Sequence, residues 1–259
     1  MGTFLFDNII FGPVSSRRLG KSLGINLLPN NQKVCNFNCV YCECGWTKKT
    51  TFGKEKFHSR ENVSEALVSR LEQLKRSKNE PDVITFAGNG EPTMHPAFGD
   101  IINDTIQIRD KIIPEAQIAV LSNATLLHKP SVFRALEIVD QNILKIDSAF
   151  PETIEKINQP KGKFDLKEIV QRMKTYKRNL IIQTLFLRGE IDGIEINNTT
   201  NKEIDAWLEL LKEIKPGKVM IYTFHRETSS EGLIRIPEKE LQHIADKVEG
   251  IGINTLVSP

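Results

Sequence analysis

The segment KVCNFNCVYCEC, residues 33–44, contains all four cysteines of this 259-residue chain. Three residues separate Cys35 from Cys39, two separate Cys39 from Cys42, and one separates Cys42 from Cys44. Thiols gathered in one short loop do not resemble a disulfide framework, which small secreted domains use in place of a large core. The spacing therefore predicts a loop that binds a metal ion or a metal cluster.

Six apolar runs in the chain have the composition of buried parallel strands. They are rich in Ile, Leu, Val and Phe and lack strict alternation, as expected for strands covered on both faces. The runs occupy residues 22–28, 82–88, 117–123, 142–148, 179–187 and 218–224. Between them, apolar residues recur at helical spacing, most clearly over residues 63–74, 132–139, 166–173, 204–211 and 241–248.

The alternation of strands and helices predicts an α/β fold, a partial (β/α)6 barrel of the TIM type that forms a single domain over residues 1–259. The polar segment 188–203 is predicted to be a long loop. In such barrels the chemistry gathers at the carboxyl ends of the strands. The cysteine loop follows the first strand, and the polar groups GNGEPT, SNAT and IDS follow the second, third and fourth strands.

Three thiolates on a short loop are suited to three corners of a cubane [4Fe–4S] cluster, because each iron needs one ligand besides its sulfides. The fourth iron is then open to a small molecule that brings its own oxygen and nitrogen donors. This pattern, Cys-x3-Cys-x-aromatic-Cys after a first strand, resembles the signature of the radical S-adenosylmethionine (SAM) superfamily. The resemblance implies that Cys35, Cys39 and Cys42 bind the cluster and that Tyr41 packs near the adenine of SAM.

The resemblance also implies a reaction. In that superfamily the methionyl amino and carboxylate groups of SAM bind the open iron, and the cluster passes one electron to the sulfonium. The 5′-deoxyadenosyl radical that results abstracts a hydrogen atom from the substrate. An enzyme of this kind is therefore expected here. The sequence assigns no catalytic acid or base, because the candidates His58, His95 and His225 are supported only by their residue type.

A second motif lies in TFAGNGEPTMHP, residues 85–96, which resembles the Gly-Gly-Glu motif that meets the methionyl amino group. The match falls on Asn89, Gly90 and Glu91, with asparagine in place of the more usual first glycine. By the same resemblance, polar residues at later strand ends contact the ribose hydroxyls or the methionyl carboxylate. These residues are Ser122, Asn123, Asp147 and Ser148, with Gln183 on the fifth strand as a further candidate and Arg188 as a partner for a carboxylate.

The segment FGPVSSRRLGKSLGIN, residues 11–26, together with GNGEPTMHP, looks like the tRNA wyosine-synthesis radical enzymes and their small relatives. Wyosine enzymes carry a second cluster on additional cysteines. Once three cysteines are used here, only Cys44 remains. The resemblance thus extends to the radical machinery and not to the wyosine reaction.

Other interpretations of these residues remain open at the level of sequence. All four cysteines would suffice for a structural zinc site or for a closed electron-transfer cluster. Cys44 is either a small buried residue or a thiol near the reaction site. The basic residues are either a solvated surface or a site for the phosphate of an anionic substrate; they are Arg17, Arg18, Lys21, Lys48, Lys49, Lys54 and Lys56.

The partners follow from the same reasoning. No motif for a flavin or a second cluster is visible, so the resemblance implies an external one-electron donor of the flavodoxin or ferredoxin type. The substrate is expected to be a nucleic acid such as tRNA or a nucleotide, or else a glycyl-radical enzyme that this protein activates; a non-catalytic metal-binding module is the third hypothesis. The net charge of +2 is too small to decide among them. A cytoplasmic location without membrane contact is expected, because neither a secretory leader nor an apolar run of about 18 residues is visible.

Overall fold

The computed structural model describes residues 4–47, 57–176 and 179–259. Lys48, Lys49, Lys54 and Lys56, which belong to the predicted basic residues, lie outside the described residues. The main sheet has eight strands: β1 (Ile10–Ser16), β2 (Gly20–Ile25), β3 (Val83–Phe86), β4 (Gln117–Ser122), β5 (Gln141–Lys145), β6 (Leu180–Leu185), β9 (Lys218–Tyr222) and β11 (Thr255–Ser258).

The order of the strands is β1-β2-β3-β4-β5-β6-β9-β11. Neighbours from β2 to β11 pair in parallel, and β1 pairs with β2 in antiparallel fashion. The six predicted strands are thus β2, β3, β4, β5, β6 and β9, and the prediction of a partial barrel is confirmed. The sheet is curled. Its first and last strands approach each other, and the Arg17 side chain, in the turn between β1 and β2, donates a hydrogen bond to the backbone oxygen of Pro259, directly after β11.

Seven helices are described: α1 (Arg60–Arg76), α2 (Phe98–Ile112), α3 (Pro130–Ile138), α4 (Pro151–Asn158), α5 (Leu166–Met173), α6 (Asn201–Ile214) and α7 (Glu238–Glu249). The apolar spacing predicted all of them except α2 and α4. Their buried faces pack with one face of the sheet to form the main core; Leu67 and Leu71 of α1, for example, belong to the same buried cluster as Ile84 and Phe86 of β3. The opposite face of the sheet is left to form the site.

The segment 188–203 is not a loop, and that prediction was wrong. It contains strands β7 (Leu187–Ile191) and β8 (Ile194–Asn197), which form a hairpin and pair with β10 (Leu233–Arg235) in a small sheet, and it ends in the first turn of α6. Asp192 and Gly193 form the turn, with φ angles of 50° and 76°. Positive φ at both central residues is the geometry that an Asp-Gly pair favours in hairpins, so the sequence did contain the signal. In the part of the chain that the structure describes, none of the helices has the length and apolar character needed to cross a bilayer.

Candidate functional site

The inner face of the curled sheet, opposite the helices, carries the candidate site. A buried apolar layer takes one residue from each of five neighbouring strands: Val83, Ala119, Ile143, Ile181 and Met220. Because side chains alternate along a strand, residues two positions further on point to the same face. Four such residues line a cavity of about 220 Å³, here called the central cavity: Leu121, Lys145, Gln183 and Tyr222.

Nine of the twelve predicted site residues line the central cavity: Cys35, Cys39, Tyr41, Cys42, Gly90, Glu91, Ser122, Asn123 and Gln183. Asn89, Asp147 and Ser148 do not. A larger cavity, of about 350 Å³, lies beside α5 and is lined by His128 and Arg172 among others, but by none of the predicted residues. The predicted residues therefore come together in one place from the cysteine loop and the ends of several strands.

The cysteine loop is held in place by backbone pairing at both of its sides. Val34 forms a parallel bridge with Gly90, in which Val34 N donates to Asn89 O at 2.8 Å and Glu91 N donates to Val34 O at 3.0 Å. On the other side, Val40 N donates to Ile157 O of α4 at 2.9 Å. The two motifs found in the sequence thus form a single unit, with the second motif supporting the first.

Cys35 and Cys39 are buried, whereas Cys42 is half-buried. Nitrogen donors face two of the sulfurs: Phe37 N lies 3.3 Å from Cys35 Sγ, and Asn158 Nδ2 lies 3.4 Å from Cys39 Sγ. Burial raises the pKa of Cys35 to about 12 and also raises the pKa of Cys39. The pKa of Cys42 falls to about 5, because the Cys44 thiol donates a hydrogen bond to it and the Lys33 ammonium lies nearby.

Lys33 is a buried cation beside the three cysteines. Its Nζ donates to Gly45 O at 2.8 Å. Burial disfavours its charge, but the neighbouring Cys42, Cys35 and Cys39 outweigh burial, and the pKa of Lys33 is raised. A fixed positive charge next to three thiolates is suited to a site that carries net negative charge.

The donor set fits a cluster better than a single ion. In the described ranges, no group of three or more His, Cys, Asp or Glu side chains has the arrangement needed to hold one metal ion. A cubane does not need that convergence, because each of its irons takes its own cysteine. The three cysteines, the nitrogen donors on two of their sulfurs and Lys33 therefore suit a [4Fe–4S] cluster.

Cys44 is not a buried packing residue. It is half-buried, lines the central cavity, and its Sγ lies 3.4 Å from Gly88 O. The structure thus places this thiol at the central cavity, beside the other three cysteines.

Glu91 is a buried carboxylate that other residues of the site orient. Its Oε1 accepts hydrogen bonds from Thr93 N at 3.1 Å, Thr93 Oγ1 at 2.5 Å and Ser122 Oγ at 2.8 Å, and its Oε2 accepts one from Asn123 N at 2.7 Å. Burial raises the pKa of Glu91, and these hydrogen bonds oppose that effect. With one donor on Oε2, the carboxylate retains the capacity to accept a further hydrogen bond, and Glu91 lines the cavity.

The Asn89 side chain points away from the central cavity. Its Nδ2 donates to Phe6 O at 3.0 Å and to Pro29 O at 2.9 Å, and its Oδ1 accepts from Phe6 N at 2.8 Å. The asparagine that replaces the usual glycine therefore fixes the segment before β1 against the loop after β2. As a contact for a cofactor, only its backbone is near the site.

Asp147 supports Tyr41 from behind. Its side chain is fully buried: Oδ1 accepts from Leu185 N at 2.9 Å, and Oδ2 accepts from Asn158 Nδ2 at 2.7 Å and from the Tyr41 hydroxyl. Lys145 Nζ lies 3.6 Å from Oδ2 and is a nearby cation for this carboxylate. Burial, and then the charge of Asp147, raise the pKa of Tyr41 well above its usual value.

Ser148 and Arg188 also have partners outside the central cavity. Ser148 Oγ donates to Glu203 of α6 at 2.6 Å and accepts from Phe150 N at 2.9 Å. Arg188 forms a two-pronged ion pair with Glu240, with both contacts at 2.9 Å. In the structure, both side chains link secondary structure elements.

Replacing Asp147 by asparagine is expected to lower the free energy of unfolding by about 2 kcal/mol, because it removes a charged acceptor from a buried network with an amide and a cation. Urea denaturation of the metal-free protein measures the effect. Glu213→Gln is the matched control, since the pair of Glu213 with Lys174 is solvent-exposed and its loss should leave stability unchanged. Equal midpoints for the two variants would show that the Asp147 network is not structural.

Lys33, Lys145 and Tyr222 of the cavity were missed by the sequence analysis as site residues, and Arg18 was named only among the basic residues that could bind a phosphate. Lys145 Nζ donates to the Tyr222 hydroxyl at 3.0 Å, and Arg18 donates to Gln183 Oε1 at 3.0 Å. Strand alternation is a signal that could have found Lys145 and Tyr222, which follow the buried layer by two positions. No local pattern marks Lys33, whereas Arg18 lies in a short run of basic residues.

Comparison with known proteins agrees with this geometry. The family model described as the radical SAM superfamily matches residues 32–196. A UPF0026 protein of Methanocaldococcus jannaschii is 34% identical over 237 residues, which cover 90% of this chain and 68% of that protein. A protein of Brachyspira hyodysenteriae named GTPase Obg is 32% identical over 236 residues; the match covers 90% of this chain but only 32% of that longer protein.

Two solved structures share the fold at low sequence identity. A radical SAM methyltransferase from Sphaerobacter thermophilus has a TM-score of 0.67 at 12% identity, covering 92% of this chain and 65% of that one. SuiB from Streptococcus suis, bound to S-adenosylmethionine, has a TM-score of 0.62 at 12% identity, covering 91% of this chain and 50% of that one. The family match spans more than half of the chain and includes the cysteine loop and the Gly90-Glu91 motif. This chain is an enzyme that belongs to the radical SAM superfamily.

Proposed function

We propose that this enzyme cleaves SAM reductively at a [4Fe–4S] cluster bound by Cys35, Cys39 and Cys42, and that it abstracts a hydrogen atom from a substrate. The observation that carries the proposal is that these three cysteines, Lys33 and Glu91 line one cavity. The superfamily implies both cofactors. When bound, they supply a 5′-deoxyadenosyl radical.

The residues of the chain have separate roles in this proposal. Lys33 offsets the negative charge of three thiolates, and Asn158 and Phe37 N fix the sulfurs by donating to them. The buried Glu91 carboxylate accepts the ammonium of the methionyl group, for which its oriented oxygens are suited. Tyr41 offers a ring to the adenine.

Asp147 fixes the position of Tyr41 by accepting a hydrogen bond from its hydroxyl, and Arg18 fixes Gln183 by donating a hydrogen bond to its Oε1. The rigid support of these side chains places a bound cofactor without reorganisation during the reaction. We propose further that residues 1–259 act as a single domain, since β1 and β11, near the two ends of the sequence, belong to the same sheet.

Members of the superfamily need an external electron donor. The four cysteines leave no set of ligands for a second cluster, so we propose a flavodoxin or a ferredoxin as the donor. Reduced thiols and a reducible cluster suit the cytoplasm, where glutathione and thioredoxin keep cysteines reduced.

The test is a cleavage assay on protein purified without air. The expected result is a brown protein with about four irons per chain, which converts SAM to methionine and 5′-deoxyadenosine when dithionite is added. The same protein without dithionite, and protein stripped of iron by a chelator, should give no 5′-deoxyadenosine. One zinc per chain with no iron, or an iron-loaded protein that leaves SAM intact under dithionite, would contradict the proposal.

A further inference from the structure

Four arginine side chains lie near one another: two from the main sheet's turn between β1 and β2, one from the segment after β9 and one from β10 of the small sheet. Arg17 and Arg18 belong to the turn between β1 and β2, Arg226 follows β9, and Arg235 ends β10. Arg18 lines the central cavity, and Arg17 donates to the backbone oxygen of Pro259. We call Arg17, Arg18, Arg226 and Arg235 the arginine cluster.

The charges in the arginine cluster are poorly balanced. Burial and the positive charges of Arg18, Arg235 and Arg226 lower the pKa of Arg17, and Glu43 opposes them. Glu43 accepts a hydrogen bond from Arg226 at 3.0 Å, in a pair whose side chains are 61% and 38% exposed for arginine and glutamate. An exposed pair of this kind is weak, so the cluster is a place where a multiply charged anion would be stabilised.

Aromatic rings lie under three of the four guanidinium groups. Arg18 lies 4.3 Å from the centre of the Tyr222 ring, Arg226 lies 5.3 Å from that of Phe4, and Arg235 lies 5.6 Å from that of Phe224. The Phe4 side chain is 46% exposed. Guanidinium groups for phosphate, combined with aromatic and guanidinium planes on which a base stacks, are the combination by which proteins bind unpaired nucleotides.

We propose that the arginine cluster binds the phosphate of the substrate, and that the substrate is a nucleotide, either free or within single-stranded RNA. The inference rests on the proposed function, since Arg18 joins the cluster to the cavity in which the hydrogen atom would be abstracted. A substrate bearing only a carboxylate would use the guanidinium groups but would bring no base to stack on them or on the exposed Phe4 ring.

Binding can be tested without SAM cleavage. The probe is a fluorescein-labelled single-stranded RNA of about ten nucleotides, titrated by anisotropy into the full chain purified without air, with neither SAM nor reductant. In a plot of the logarithm of the binding constant against the logarithm of the salt concentration, each phosphate bound on a single strand contributes about −0.7 to the slope. Three or four arginine contacts therefore predict a slope of about −2 to −3.

Two substitutions should act in opposite directions. Arg226→Gln is expected to weaken RNA binding about fivefold at 0.1 M salt and to reduce the slope by about 0.7. Glu43→Gln is expected to tighten binding, because it removes the carboxylate that opposes the cluster and frees Arg226. Arg76→Gln is the matched control: this arginine pairs with Glu72 within α1, on the outer layer, and its loss should change nothing. Loss of a folded site would weaken binding, which is the opposite of the effect expected for Glu43→Gln, so this variant keeps the test informative if Arg226→Gln is unstable.

Adenosine monophosphate, titrated by calorimetry, separates the two sources of the phosphate. Binding of RNA with the expected dependence on Arg226 and Glu43 assigns a nucleic acid, whereas the same dependence for the mononucleotide alone assigns a free nucleotide. If neither probe binds, or if both variants bind as wild type does, the proposal is overturned and a partner protein becomes the better substrate. Because SAM cleavage is measured separately, arginine-dependent binding by a protein that leaves SAM intact would remove the proposed function while the phosphate site stands.

Discussion

Replacing Cys35, Cys39 or Cys42 by alanine is expected to abolish formation of 5′-deoxyadenosine, by about a thousandfold or more, and to leave less than one iron per chain. Each cysteine is the sole protein ligand of one iron in a cubane, and the carboxylate that lines this cavity, Glu91, is already held by Thr93, Ser122 and Asn123. Iron and sulfide analysis of protein purified without air, followed by the cleavage assay, measures both effects.

Cys44→Ala is the matched control for these three variants. Cys44 lies in the same loop and lines the same cavity, but its thiol interacts with Gly88 O and with Cys42. The variant should retain about four irons and cleave SAM. Loss of the cluster in Cys44→Ala, to the same degree as in the other three, would mean that all four corners of the cluster are protein-bound. SAM would then have no iron to bind, and the proposed function would fail.

The strands and the cavity could be predicted from the sequence because both depend on regular periodicities. Apolar runs without alternation gave the six parallel strands, and the parallel arrangement placed their carboxyl ends at one edge. Since the cysteine loop and Glu91 follow neighbouring strands, their proximity followed from topology alone. Lys145 and Tyr222 could have been included on the same grounds.

The direction of a side chain at the end of a strand was less predictable. Asn89 and Ser148 were assigned to the cofactor because they lie within or next to the right motifs, yet their side chains bond to Phe6 and to Glu203. Asp147 lies two positions beyond the end of β5, and its carboxylate accepts a hydrogen bond from the Tyr41 hydroxyl and does not line the central cavity. Beyond the last ladder residue, the local backbone decides where a side chain points, and that backbone depends on contacts distant in sequence.

The place of Arg18 in the cavity could not be predicted from the sequence either. This arginine lies in the turn between β1 and β2, and its side chain reaches Gln183, 165 positions away. Only the closure of the sheet brings the turn between β1 and β2 towards β6 and β9. A run of basic residues therefore could not be separated from an ordinary solvated surface until the curl of the sheet was known.

Replacing Gly90 by alanine is expected to lower the free energy of unfolding by at least about 3 kcal/mol. A Cβ at this position would lie 1.9 Å from Val34 O, 2.5 Å from Val34 C and 3.1 Å from a methyl of Leu28, and the φ angle is 137°. The contact is with backbone, which cannot rotate away, and it lies in the bridge that begins the cysteine loop. The clash can be relieved only if the Val34 backbone moves, and this movement would displace Cys35, the next residue.

Gly162→Ala provides the comparison that separates steric clash from backbone strain. Gly162 also has a positive φ, 94°, but nothing lies within 4 Å of the position where its Cβ would be. Alanine there should cost about 1 kcal/mol, from the unfavourable φ alone. Urea denaturation of metal-free protein gives both values, and iron analysis after purification without air gives a second readout, in which Gly90→Ala alone should lose iron. If the two glycine variants unfold at the same midpoint and retain the same iron, the Gly90-Glu91 motif does not hold the cysteine loop, and the link between the two motifs is lost.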